Sequence, residues 1–379
     1  MRTGVMESAT IPRLAPDLFF RISKFIAAAT GADSLWLPDH LNGLLPASMW
    51  EPKYTAAARL APKVDAIYEP WTALGYLAAR NRIPRLRLGV GVTDSGRRNP
   101  AVTAQAAATL HLLTRGRAIL GIGPGEREGN EPYGVDWSKP VARFEEAMAT
   151  IRTLWNSGGS AVSRESDFFP LRDATFDIPP HRGTRPEIWM GAHGPRMLRC
   201  AGRHADAWFP AFAQRPKDYG ARLAAVCSAA SDAGRDPDAI TPAAWFPVCA
   251  GRNRDEVDEM LGTVGMKAFA LCASAEVWSR HGAEHPLGAD FSGMQDLLPQ
   301  ALDEATVMSY AERTPQSLLR EVFLVGTPAE ILDRLAEWRD HGMRYPVLAN
   351  AASFVHLRLS NTLLSSVSFM RVLRGLKRL

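Results

Sequence analysis

A chain of 379 residues with 46% apolar and 22% charged side chains can bury a large core, and nothing in that balance suggests wholesale disorder. The net charge of +4 and the pI near 8.9 are mild for this length. The basic clusters, Arg97-Arg98 and the tail 371–378, are too short to be a nucleic-acid footprint, while a basic mouth drawing in an anionic cofactor is a more pointed reading. Cys200, Cys227, Cys249 and Cys272 sit among apolar residues at spacings that match no metal site and no disulfide framework. Without a signal-peptide core or a membrane-length apolar run, the expected location is the cytoplasm, with at most a peripheral membrane contact.

Short apolar runs alternate with longer amphipathic stretches, the pattern of strands and helices in a parallel sheet. Residues 4–8 predict a first, weakly signalled strand. A helix over 17–30 follows, closed by Gly31, and a second strand over 34–37 runs straight into Pro38-Asp39-His40. Residues 70–81 predict a helix and 86–93 a buried third strand. Asn99 caps, and Pro100 opens, an alanine-rich helix to residue 113. The fourth strand, 117–123, ends in a glycine-rich loop, and a helix over 141–155 leads into an irregular connection at 157–183.

A fifth strand over 187–192 is followed by His193-Gly194-Pro195 and another helix. Strands at 207–209 and 243–250 flank a helix over 218–233. Residues 262–325 break the alternation and read as an insertion rich in short helices. Thr327 and Glu330 form a capping box for a helix to 341, an eighth strand covers 344–349, and the tail 357–379 is helical. Eight alternating strands fit a single (β/α)8 TIM barrel over 1–379, although periodicity alone leaves an open doubly wound sheet standing.

In such a barrel, polar groups at the C-terminal ends of strands are the functional candidates. Asp39 and His40 follow strand two; alone, the pair means little, but histidine is the commonest acid–base group. After strand four comes Gly121-Ile-Gly-Pro124-Gly125-Glu126. Its glycines permit close backbone approach, or merely turn the chain, and Glu126 stands where a dinucleotide fingerprint needs its third glycine. Gly194 and Pro195 open a helix whose free N–H groups could hold a phosphate or simply be a capped turn; Arg196 adds donors, though surface arginines are commonly just solvated. Thr93 ends strand three with a hydroxyl. Phe209, Phe212, Trp245, Phe246 and Trp278 would be core singly, but around one mouth they would line an apolar funnel.

These residues together carry a resemblance. Asp39-His40, Arg97-Arg98-Asn99-Pro100, the 121–126 loop, Gly191-Ala-His193-Gly194-Pro195 and Ala201-Gly-Arg-His-Ala-Asp206 resemble the luciferase-like family of flavin and coenzyme F420 barrels across most of the chain. The 99–133 and 281–291 segments are similar to its deazaflavin branch, among enzymes of cell-envelope wax lipids. That likeness implies a ketoreductase passing a hydride from reduced coenzyme F420 to a long-chain lipid ketone. Asp39 and Thr93 would contact the deazaflavin, with a bulge at Val90-Gly91-Val92 behind its ring. Pro124, Gly125 and Asn130 would line it, and His193, Gly194, Arg196 and Met197 would hold its phosphate. His40 and Glu126 would be the acid–base pair, in either order. Relatives that oxidise sugar phosphates carry a lysine after strand six, which the stretch 210–214 lacks, and an aromatic where Leu44 stands; both departures favour an apolar substrate. The family also implies pairing into homodimers. An FMN-dependent monooxygenase and a non-catalytic cofactor carrier are the alternatives.

Overall fold

The computed structural model describes residues 1–8, 10–211 and 215–379. Its eight parallel strands are β1 (Gly4–Met6), β2 (Ser34–Leu37), β3 (Arg87–Asp94), β4 (Ala118–Gly123), β5 (Glu187–Met190), β6 (Ala207–Trp208), β7 (Thr241–Ala250) and β8 (Tyr345–Asn350). Each pairs with the next in chain order and β8 pairs with β1, so the sheet closes on itself and the open-sheet alternative falls. Helices pack outside. Gly31 closes helix Pro16–Thr30 at a φ of 68°, a conformation that costs a residue with a Cβ. Asn99 accepts from Ala101 N to start helix Pro100–Leu113, and the Thr327–Glu330 capping box opens helix Pro328–Asp340 as expected.

Aromatic side chains fill the barrel interior. Trp36, Trp189, Phe209 and Tyr345 meet at its axis, with Trp36 5.0 Å from Trp189 and 5.2 Å from Phe209, ring centre to ring centre. Room for Trp36 comes from glycines on the neighbouring strands: a Cβ at Gly89 would lie 2.4 Å from its ring, and one at Gly4 2.7 Å. Polar edges are satisfied in place, since the Trp36 indole and the Tyr345 hydroxyl both donate to Ser34 Oγ (2.6 and 2.8 Å). The barrel is therefore a packed core and not a pore, which leaves its C-terminal mouth for chemistry.

Two regions differ from expectation. The 157–183 connection contains an antiparallel hairpin, Val162–Arg164 with Leu171–Ala174, whose half-exposed residues give no clean alternation to read. A ninth strand, Leu324–Gly326, pairs with the far end of β7; three residues are too few for a period to show. Residues 264–322 form a stack of short helices. Together with residues 45–64 it builds a second apolar core around Trp50, Met266, Trp278, Leu318 and Phe323. Its turn Met294–Asp296 rests on the turn Arg127–Gly129, so this second core walls one side of the mouth. Among the described residues, no helix is long and apolar enough to cross a membrane.

Candidate active site at the barrel mouth

Asp39 leaves β2 at the mouth and is buried. Its Oδ2 accepts from Thr93 Oγ1 (2.6 Å) and Arg98 Nε (3.0 Å), and its Oδ1 from Arg97 Nη2 (2.8 Å) and Arg98 Nη2 (3.1 Å). Burial alone would raise the Asp39 pKa, but the Arg98 hydrogen bonds, the charges of both arginines and the Thr93 hydroxyl hold it below the usual carboxylate range. Beneath it, Asp94 accepts from the backbone N–H groups of Gly96 and Arg97 and from the Asn130 amide. All four acceptor positions of Asp39 and the Thr93 hydroxyl proton are thus engaged within the protein. Within the protein the pair pins Arg97, Arg98 and the β2 end, and the Thr93 hydroxyl oxygen keeps its acceptor positions.

One residue further on, the surroundings reverse in sign. His40 Nδ1 lies 2.9 Å from Glu128 Oε1 and 3.5 Å from Glu126 Oε2. The two glutamates converge because Glu126 is extended and residues 127–129 close a tight 3-10 turn, while Gly125, at a φ of 92°, fits against the Asp94 carboxylate where a Cβ would be 2.3 Å from oxygen. Asn130 fastens that turn, its amide nitrogen donating to the Glu126 carbonyl (2.8 Å). Glu128 is 1% exposed against 22% for His40 and 28% for Glu126. In the orientation that matches donors to acceptors, the Asn42 amide donates to Glu128 Oε2 (2.9 Å) and to its carbonyl (3.1 Å).

Burial disfavours a charged imidazole, but the Glu126 charge and the hydrogen bond and charge of Glu128 outweigh it and push the His40 pKa up to about 9. For Glu126, burial raises the pKa to about 7; the pull of His40 opposes this and the nearby Glu128 and Asp94 charges add to it. The cluster is therefore a proton store, an imidazolium beside a carboxyl group that titrates near neutrality.

The remaining expected residues separate. The register between β3 and β4 shifts between Val90 and Thr93, giving the expected bulge, within which the Gly91–Val92 peptide is cis. Val90 itself points into the outer core, so only its backbone faces the mouth side. Pro124 and Gly125 are half-buried on the mouth loop. Gly194 begins helix Pro195–His204 with open space where a Cβ would sit, beside an exposed His193. The exposed Arg196 guanidinium pairs with Glu145 through Nε and Nη2 (3.0 and 2.6 Å), and Met197 is buried, so what Met197 offers a ligand is its backbone N–H.

The aromatic funnel needs larger correction. Phe246 turns outward and meets Trp338 edge-to-face, and Trp278 is fully buried in the second core, donating to the Ala270 carbonyl (3.1 Å). Phe209 is part of the aromatic filling under the Gly91 bulge. Trp245, half-buried beside that filling, is the one described aromatic of the set with surface left to offer; Phe212 lies outside the described residues. Sequence reasoning missed Glu128, Asn42 and Asp94. For Glu128 a signal existed, a second carboxylate two residues after Glu126, but only the turn brings both onto one histidine.

Two buried polar atoms at the mouth, Ser95 Oγ and Asn130 Oδ1, have no hydrogen-bond partner among the described residues. Buried groups of this kind are normally paired, so they suit a polar ligand laid across the loops after β3 and β4. With the open Gly194 helix start, the residues present fit a flavin-like ring with an anionic tail.

Comparison with known proteins places the chain in a family. Residues 26–345 match the family model described as luciferase-like monooxygenase. The chain is 60% identical over 381 aligned positions to phthiodiolone/phenolphthiodiolone dimycocerosates ketoreductase of Mycobacterium tuberculosis, covering 100% of this chain and 99% of that protein. An F420-dependent secondary alcohol dehydrogenase solved with an F420-acetone adduct superimposes with a TM-score of 0.72 at 19% identity, over 98% of this chain and 99% of the other. The coenzyme F420-dependent tetrahydromethanopterin reductase of Methanopyrus kandleri gives 0.70 at 20% identity, over 99% and 98%. At those identities the two structures attest the barrel fold. The chain belongs to the luciferase-like monooxygenase family and, within it, stands with the dimycocerosates ketoreductases.

Proposed function

We propose that this chain is a coenzyme F420-dependent ketoreductase that reduces the keto group of a long-chain lipid of the phthiodiolone dimycocerosate type. The observation that carries the reading is the His40–Glu128–Glu126 cluster at the mouth, and the 60% identical relative named for that ketone supports the substrate class. The backbone of the 90–93 bulge and of Pro124-Gly125 would lie along the cofactor ring, and the Gly194 helix start would hold its phosphate. When bound, the reduced deazaflavin supplies a hydride to the carbonyl carbon.

The protein's own task is to deliver a proton to the carbonyl oxygen as charge develops there. Nδ1 of His40 is committed to the two carboxylates, which leaves Nε2–H to face the substrate. A pKa of about 9 keeps the ring charged at neutral pH, so the acid is loaded before the ketone arrives. Glu128 holds the ring's angle, and the Glu126 and Glu128 charges that raise the His40 pKa draw a proton back onto Nε2 from solvent after each turnover. The second core over the mouth limits water access from one side.

Titration of the purified protein with coenzyme F420, and separately with FMN, followed by fluorescence quenching, tests the cofactor. Tight binding of the deazaflavin alone, and ketone-dependent oxidation of its reduced form that His40→Ala abolishes, is the expected result. Preference for FMN with oxygen-dependent turnover would overturn the reading.

A further inference from the structure

Two outer helices that the mouth does not use share an apolar face. Helix Pro16–Thr30 follows β1 and helix Leu359–Leu376 follows β8. Because β1 and β8 are paired, the helices lie side by side and run from the mouth end toward the base. Their last turns are tied together, with Arg374 Nε donating to the Ala29 carbonyl (3.1 Å). Leu18, Ile22 and Phe25 recur at helical spacing on the outward side of the first helix, and Leu363, Leu364 and Val367 on that of the second. All six are exposed, Phe25 at 65% and Leu363 at 69%. Most of the exposed large apolar side chains among the described residues lie on these helices or on the residues leading into them. Folding does not need them, since the opposite faces already bury Phe20, Ala27, Phe369, Val372 and Leu373.

Among the described residues, the charges on these two helices that lack an ion-pair partner have one sign. Arg21, Arg371, Arg374 and Arg378 are exposed on the same two helices and their ends, and no Asp or Glu follows Asp340. The exposed acid of the first helix, Asp17, is already engaged by Arg80 and Tyr76. A two-fold contact with a second copy would set this basic patch against itself with no acidic complement. An anionic bilayer supplies both partners at once: acyl chains for the apolar stripe and headgroups for the arginines. We propose that this face docks the protein onto an anionic lipid surface. All of these apolar residues except Phe25 occupy the mouth-proximal halves of the helices. Arg13 N also donates to the Leu60 carbonyl (2.8 Å), joining the patch to the mouth segment where Leu41 and Leu60 are exposed too. Docking in this way brings the mouth to the surface in which a lipid ketone resides.

Vesicle flotation of the full chain, without cofactor or ketone, tests the surface independently of the catalytic reading. The protein is expected to float with vesicles of phosphatidylcholine plus phosphatidylglycerol, to stay behind with phosphatidylcholine alone, and to be released by salt. Phe25→Ser with Leu363→Ser, and separately Arg371→Ser with Arg378→Ser, each lower binding roughly tenfold. Unchanged unfolding midpoints show that these surface variants fold. Equal flotation of variants and parent, or none with anionic vesicles, overturns the proposal. So does a stable dimer in sedimentation that the apolar variants convert to monomer, which would make the face a self-association surface.

Discussion

Residues 39 and 40 are adjacent in the chain, yet their side chains enter environments of opposite sign. Asp39 is one carboxylate between two guanidinium groups, with every acceptor position filled. His40 is one imidazole between two carboxylates, with one nitrogen unspent. The first arrangement suits rigidity, because a buried carboxylate saturated by fixed donors has no reason to move or to titrate near neutrality. The second suits proton traffic, because its pKa values are pushed toward the working range and its members compete for one proton. A strand end at the mouth thus supplies an anchor and a reactive group in consecutive positions.

Removing the reactive group is expected to give the largest effect. Replacing His40 with Ala lowers ketone turnover by ~10²–10⁴-fold, the usual worth of a positioned general acid, at a smaller cost in stability than loss of the anchor. Loss of both activity and fold would show that the two environments are not separable. The anchor should fail in the opposite way. Asp39→Ala leaves Arg97 and Arg98 facing each other without their shared partner, at a cost of about 3–5 kcal/mol in denaturant unfolding. If Asp39→Ala instead retained full stability and lost only cofactor binding, Asp39 would be a ligand contact after all.

A subtler change sharpens the division within the cluster. Glu128→Gln keeps the shape but removes the charge nearest His40, so the imidazole pKa falls from about 9 and the alkaline limb of the pH–rate profile moves to lower pH. The accompanying loss in kcat reaches up to about 10²-fold if the ring also loses its angle. An unmoved alkaline limb would mean that Glu128 is merely structural. Smallest is the effect on folding, where the two regions carry opposite signs. His40 and Glu126 both hold protons in the folded state that the unfolded chain has released. Their contribution is present at low pH and is lost as pH rises, through about 7 for Glu126 and about 9 for His40. Asp39, with its lowered pKa, contributes above its unfolded value and loses that contribution as pH falls through its folded one. Urea unfolding of the parent and of His40→Gln from pH 6 to 9 should therefore show a decline in the parent that the variant flattens.

All eight barrel strands, their main helices and three of the helix end signals were legible in the chain, because period, caps and glycine stops are local properties. So was the placing of Asp39, His40 and Glu126 at strand ends. The hairpin in 157–183 and the strand Leu324–Gly326 were not, being too short or too exposed to carry a period. Closure of the sheet, and with it the choice of barrel over open sheet, depends on β8 meeting β1 across more than three hundred residues.

What the sequence determined by itself was that Asp39, His40, Thr93 and Glu126 stand at strand ends around the mouth. Which of them remain available was decided only in three dimensions. Asp39 is saturated by Thr93, Arg97 and Arg98, Phe246 and Trp278 turn into separate cores, and Glu128 arrives beside His40 through a single 3-10 turn. Periodicity reports the face of one element, whereas the availability of a donor or a ring depends on partners from other elements, which no local pattern encodes.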